Sequence, residues 1–257
     1  MLIVEELSKR FGGLRAVDGF SFNVKPGTIT GLIGPNGAGK TTVFNVLTGF
    51  FRPDKGKVLL GGENITGLVP HRIFRKGISR TFQIPREFKE MSVLENLMLV
   101  PSPQIGERIW NALLCSHRVR RQEKAILDRA IEVLEFLELA HLKDESAGSL
   151  SGGQKKLLEL ARTMMREPKL VMLDEPGAGV NRTLLRSLAD SIRRLCSEEG
   201  TTFLLIEHDM DLVMRLCNPV IVMSEGRKLA EGTPAEVQSN KEVLDAYLGG
   251  QYAAIEC

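Results

Sequence analysis

Eight residues, GPNGAGKT from Gly34 to Thr41, fit the pattern G-x-x-x-x-G-K-[ST] at every fixed position. No other feature of the chain constrains its fold so tightly. Such a loop works between a buried strand and a helix. Its glycines let backbone N–H groups turn inward around phosphate oxygens, and the helix start adds the positive end of its dipole. The flanks fit that demand, since TITGLIG (28–34) reads as a strand and KTTVFNVLTG (40–49) as the helix after it. Lys40 is then placed to reach the β- and γ-phosphates, and Thr41 to offer its hydroxyl to Mg²⁺. Gly34, Pro35, Asn36, Gly37, Ala38, Gly39, Lys40, Thr41 and Thr42 form a predicted nucleotide loop.

Two further apolar runs, KLVMLDEP (169–176) and TTFLLIEHD (201–209), are continuous, as expected for strands covered on both faces. Between them Leu184, Leu188, Ile192 and Leu195 repeat at helical spacing, and Gly200 closes the helix. Strand, helix, strand in that order predicts an α/β core with a mainly parallel sheet. The shorter runs LIVEE, FSFNV and KVLLGG predict an antiparallel β subdomain near the N-terminus, and PVIVMSEGRKLAEG a hairpin turning at Glu225-Gly226. From Ile84 to Ser149 the pattern becomes helical, with Leu127, Ala130, Leu134 and Leu137 on one face. One domain of 1–257 is therefore expected, with a β/α core (1–83 and 155–257) and an inserted helical subdomain (84–154).

Asp174, at the carboxyl end of its strand, is a candidate Mg²⁺ ligand, and Glu175 is placed to accept a proton from an attacking water. SGGQ, Ser151 to Gln154, offers a second anion site at a helix start. It is also an S-x-x-Q capping box, which needs no ligand at all. His208 and Gln83 alone read as structural residues, and Phe11 as core.

Composition removes other classes. With 34 basic and 32 acidic residues the formal charge is +2, and nothing indicates nucleic acid. The four cysteines have no metal-ligand spacing. Glu5 interrupts the start before a signal peptide could develop, and no apolar run nears the ~20 residues of a membrane span. A membrane role is expected only through a partner.

In this order the motifs resemble the nucleotide-binding subunits of ATP-binding-cassette (ABC) transporters, over essentially the whole chain. The resemblance implies an ATPase of the P-loop NTPase class, using ATP and Mg²⁺. It puts Phe11 against adenine, Gln83 in the Q-loop and Ser151, Gly152, Gly153 and Gln154 in the signature. It puts Asn181 of AGVN (178–181) in the D-loop, where Asp is frequent, and makes His208 the switch histidine. Thr41, Gln83 and Asp174 would hold Mg²⁺; Glu175, His208, Lys40 and Gln83 would act in catalysis. The signature of one subunit would cover the nucleotide of a second ATPase subunit, paralogue or self.

HRIFRKGISRTFQIPREFKEMSVLENLM, LIEHDMDLVM and VLDAYLGG resemble the LivG-type subunit of branched-chain amino acid importers. Lipopolysaccharide-export and urea or amide-uptake ATPases are the alternatives. The implied partners are transmembrane permeases and, indirectly, an external solute-binding protein. The implied location is the cytoplasmic face of the cell membrane. Ile84, Phe88 and Met91 crowd apolar side chains into one short segment, so a permease-docking patch is expected there.

Overall fold

A computed structural model describes residues 1–81, 86–101, 103–107, 110 and 116–252. Its contacts divide the chain into two units, one of Met1–Gln83, Lys169–Ala178 and Ile192–Cys257, the other of Ile84–Pro168 and Gly179–Ser191.

The chain begins with β1 (Leu2–Phe11), β2 (Leu14–Val24), β3 (Ile29–Ile33), α1 (Lys40–Leu47), β4 (Lys55–Leu60), β5 (Glu63–Asn64), α2 (Pro70–Arg75) and β6 (Ile78–Arg80). Helices α3 (Val93–Met98), α4 (Ser116–Phe136) and α5 (Gly152–Met164) follow. The rest comprises β7 (Leu170–Asp174), α6 (Arg182–Glu199), β8 (Thr202–Ile206), α7 (Met210–Leu216), β9 (Val220–Ser224), β10 (Arg227–Gly232), α8 (Pro234–Ser239) and α9 (Lys241–Tyr252).

Two sheets build the first unit. The smaller is antiparallel in the order β2-β1-β4-β5. Leu2, Val4 and Leu7 of β1 are buried, and the jump from alternate residues to a three-residue step coincides with a register shift between Val4 and Leu7. Glu6 lies in that shift with φ +47°, so a bulge returns Leu7 to the core face. The larger sheet runs β10-β9-β3-β8-β7-β6 and is parallel from β9 to β6. Every residue of β3, β7 and β8 is buried, as the continuous apolar runs of β7 and β8 predict. Phe20 and Leu2 of the small sheet join Leu32, Met172 and Leu204 of the large one, with Phe44 and Leu47 of α1, in a single core. The hairpin turns at Glu225 and Gly226, both at positive φ, the I′ geometry that a two-residue connection favours.

In the second unit α3, α4 and α5 pack on one another. Of the predicted stripe on α4, Ala130, Leu134 and the following Leu137 are buried and Leu127 is half-buried; Val133, not predicted, is buried with them. The division between units falls differently from the one expected after residue 154. Helix α5 runs unbroken to Met164, so the second unit extends to Pro168 and takes in 179–191 as well. A continuous hydrogen-bond ladder moves as one piece, and the signature at its start cannot be parted from the turns behind it.

Candidate functional site

Strands β3, β8 and β7 are adjacent and parallel, so the loops leaving their carboxyl ends emerge side by side. In open α/β sheets that edge is where ligands bind. The three loops carry the phosphate loop, His208, and the Asp174-Glu175 pair.

The phosphate loop depends on close backbone approach. A Cβ at Gly39, whose φ is +105°, would run into the Ala16 carbonyl oxygen; Gly37, at φ +78°, faces open space. Lys40 is buried and its Nζ donates to the carbonyl oxygens of Gly34 (2.8 Å) and Pro35 (2.9 Å). Burial lowers its pKa, while the charges of Glu175 and Asp174 pull it back up. Both carboxylates therefore act on the ammonium group. Burial also raises the Tyr247 phenol of α9, against the pull of a backbone hydrogen bond from Gly34.

Asp174 ends β7, and its Oδ2 accepts from Arg80 Nη2 at 2.6 Å. The other terminal nitrogen, Arg80 Nη1, donates to Asn45 Oδ1 (2.6 Å) and Thr48 Oγ1 (3.3 Å) on α1. Arg80 thus ties the acidic strand to the helix behind the phosphate loop. Glu175 follows at φ +49°, a left-handed conformation uncommon outside glycine. Its N–H donates to the Ile206 carbonyl (2.9 Å) and its own carbonyl accepts from the Ala178 N–H (3.1 Å). His208 Nε2 lies 3.0 Å from Glu175 Oε1.

A cavity of about 550 Å³ is lined by Asn36, Gly37, Gly39, Lys40, Thr41 and Thr42. Glu175 and His208 also line it, and Phe11, Leu14, Arg15 and Ala16 extend it. Its size lies in the usual range for small-molecule sites. Phe11 is not core: it is 42% exposed, with its ring 5.1 Å from that of Phe51 in an edge arrangement. Gln83 lies outside the described residues. Among the described residues no group of three or more His, Cys, Asp or Glu could hold a metal ion. The oxygen donors Thr41 and Asp174 suit Mg²⁺ arriving with phosphate oxygens, because Mg²⁺ uses few protein ligands alongside its substrate.

In the second unit Ser151 caps α5. Its hydroxyl accepts from the Gln154 N–H at 3.4 Å, and Gln154 Oε1 accepts from the Ser151 N–H at 2.9 Å. The capping box is real. Gly153 has a packing reason of its own, since a Cβ there would press on Leu184 and Val180, whereas Gly152 meets only the Gly179 carbonyl oxygen at 3.9 Å. Asn181 caps α6, its Oδ1 accepting from the Leu184 N–H at 2.9 Å. Cap formation uses none of the side-chain charge an Asp would bring.

Sequence reasoning missed Arg80 and Glu207. Glu207 follows an apolar strand run beside His208, where an ion reads as the point of emergence into solvent, and Arg80 ends a strand of only three residues, too short to show a pattern; both are buried or nearly so.

A family model described as ABC transporter matches residues 17–178, and one described as branched-chain amino acid ATP-binding cassette transporter matches 227–253. A probable branched-chain amino acid transport ATP-binding protein, LivG, of Archaeoglobus fulgidus is 46% identical over 257 residues, spanning 100% of this chain and 98% of the relative. The high-affinity branched-chain amino acid transport ATP-binding protein BraF of Pseudomonas aeruginosa is 45% identical, over 97% of this chain and 98% of its own. Among solved structures, an ATP-binding cassette of an ABC transporter in its ADP conformation is 40% identical with a TM-score of 0.83, covering 97% of this chain and 98% of that one. A nucleotide-free cassette gives 39% and 0.82, covering 96% and 98%.

Proposed function

Given that this chain belongs to the ABC transporter ATP-binding family, we propose that it hydrolyses ATP to drive an importer of branched-chain amino acids. The carrying observation is the meeting of Glu175 and His208, 3.0 Å apart, on the wall of the cavity that also holds Lys40 and Thr41. The substrate assignment draws on the LivG and BraF relatives.

Lys40 exchanges its two loop carbonyls for the β- and γ-phosphate oxygens of ATP, and Phe11 stacks on the adenine. Mg²⁺, when bound, neutralises phosphate charge; Thr41, Asp174 and Gln83 would hold it. Glu175 takes the proton of the attacking water. His208, bonded to the same carboxylate, holds it in place and contacts the γ-phosphate.

Ser151, Gly152, Gly153 and Gln154, with Asn181, serve the nucleotide of a second ATPase subunit, paralogue or self, so that two chains enclose two ATPs. The hydroxyl and free N–H groups at the start of α5 suit a γ-phosphate. Hydrolysis removes charge from that contact and lets the pair open. Permeases anchor the assembly at the cytoplasmic face of the membrane, and a solute-binding protein delivers the amino acid from outside. Phe88, exposed beneath the Arg162 guanidinium (5.3 Å to the ring centroid), and half-buried Met91 supply an apolar docking face for a permease helix. Ile84, expected in the same patch, lies outside the described residues. No described helix is long and apolar enough to cross a membrane.

Glu175→Gln tests the hydrolytic step. Turnover should fall by about 10²–10⁴ with ATP binding retained, and the chain should accumulate as an ATP-bound dimer by ultracentrifugation, with the paralogue supplied if self-pairing fails. Adding Ser151→Arg should abolish that dimer. Undiminished phosphate release by Glu175→Gln would overturn the assignment. Uptake of labelled leucine by proteoliposomes holding the permeases tests the substrate, and transport of urea or an amide instead would refute it.

A further inference from the structure

Strand β8 ends at Ile206, and the next residue, Glu207, is only 3% exposed. Its carboxylate faces backbone donors from two loops. Oε1 accepts from the Gly177 N–H at 2.6 Å; Oε2 accepts from the N–H groups of His208 at 2.9 Å and Asp209 at 3.3 Å. Gly177 lies two residues beyond Glu175, and His208 is Glu207's own neighbour. One buried side chain therefore joins the loop that carries the catalytic carboxylate to the loop that carries the histidine.

Neither loop is positioned by regular structure alone. Glu175 holds φ +49°, and such a conformation persists only where surrounding bonds over-determine it. On its N-terminal side it is fixed by the Ile206 carbonyl; beyond it, Gly177 is fixed by Glu207. His208 is held on one side by Glu207, while Asp209 Oδ1 accepts from the Leu212 N–H (3.1 Å) and caps α7. Each residue of the Glu-His-Asp run has a separate task.

We propose that Glu207 is a positioning residue for hydrolysis: its carboxylate sets the 3.0 Å meeting of His208 with Glu175. Both oxygens act only as acceptors here, which a carboxylate can satisfy and an amide cannot. Gln at this position keeps the volume but turns an N–H group toward either Gly177 or the His208-Asp209 pair, and one loop is released. Asp keeps the charge but is a methylene too short to span both loops. Misplacing a reacting group by about 1 Å can cost about 10²-fold in rate.

The inference rests on the hydrolytic reading of Glu175, so Glu175→Gln is measured in parallel. For Glu207→Gln, kcat for ATP should fall by about 10–100-fold while the dissociation constant of an ATP analogue stays within about two-fold, because the ligating residues are untouched. In nucleotide-free protein the His208 imidazole ¹⁵N resonances should move, since the ring has lost its fixed carboxylate. Glu207→Asp should show the same pattern, and it carries the test where Glu207→Gln does not fold. An unchanged kcat per folded molecule with unmoved His208 resonances would overturn the proposal. So would affinity falling in step with kcat, or failure of both variants to fold, which would make Glu207 a residue of the fold alone. If Glu175→Gln also hydrolyses ATP normally, it is the hydrolytic reading that fails.

Discussion

Arg80 Nη2 lies 2.6 Å from Asp174 Oδ2, and each side chain is only 8% exposed. A carboxylate so deeply placed depends on its cation, and the cation depends on it. Arg80→Ala should therefore destabilise the chain by about 3–5 kcal/mol, the usual penalty for leaving one member of a buried pair alone. Urea denaturation of nucleotide-free protein measures it. Adding Asp174→Asn to Arg80→Ala should recover part of the loss, and strict additivity in that cycle would contradict the coupling.

Phe11 lines the cavity and is 42% exposed, with the Lys9 ammonium 5.5 Å from its ring centroid. Phe11→Ala should weaken ATP binding by about 1–3 kcal/mol, the range measured for stacking of a base on an aromatic side chain. Phe11→Tyr should bind normally. Calorimetric titration decides it, and an unchanged affinity would leave Phe11 as a packing partner of Phe51 alone.

The phosphate loop predicts a contrast between two glycines. Gly37→Ala meets no atom within 4 Å and bears mainly the left-handed backbone penalty, about 1–2 kcal/mol. Gly39→Ala adds a collision with the Ala16 backbone, which cannot swing away as a side chain would. Its melting temperature should drop further than that of Gly37→Ala, and ATP binding should be lost with it. Equal melting temperatures would refute the close approach.

Burial, reinforced by the nearby Glu207 charge, pushes the Cys217 thiol from an ordinary value of 9.0 up to about 12. The unfolded thiol ionises first, so this group's contribution is intact below pH 9 and is lost as pH rises toward about 12. The slope is about 1.4 kcal/mol per pH unit. Cys217→Ala should flatten the alkaline fall in urea midpoint relative to the parent chain. Parallel curves from pH 9 to 11 would show that the thiol ionises freely in the fold.

Strands β7 and β8 were legible because LVML and FLLI are apolar without interruption, the pattern expected of strands covered on both faces. The phosphate loop and the Asp174-Glu175 pair were legible because their chemistry demands fixed spacing. Glu207 was not, since an acid after Ile206 looks the same whether it meets water or three N–H groups. Phe11 taken alone reads as core, and only the resemblance put it at the nucleotide site, where its ring does line the cavity. The second unit runs on past residue 154 to Pro168, because the helix that Ser151 caps continues to Met164. Ser151 carried two readings from the start, and its cap hydrogen bonds do not compete with a ligand for the remaining N–H groups of the helix start.

The order of strands in the large sheet also sets a timetable for synthesis. Strand β3 (Ile29–Ile33), which feeds the phosphate loop, has as its neighbours β8 (Thr202–Ile206) and β9 (Val220–Ser224), far later in the chain. The hairpin turn completes the enclosure: the Gly226 N–H donates to the Ala38 carbonyl at 3.0 Å, and the Asp18 N–H to the Gly226 carbonyl at 2.9 Å. A ribosome therefore releases the GPNGAGKT stretch well before β8, β9 and the Gly226 turn exist to flank it. A chain that ends before residue 226 carries the motif without those two hydrogen bonds.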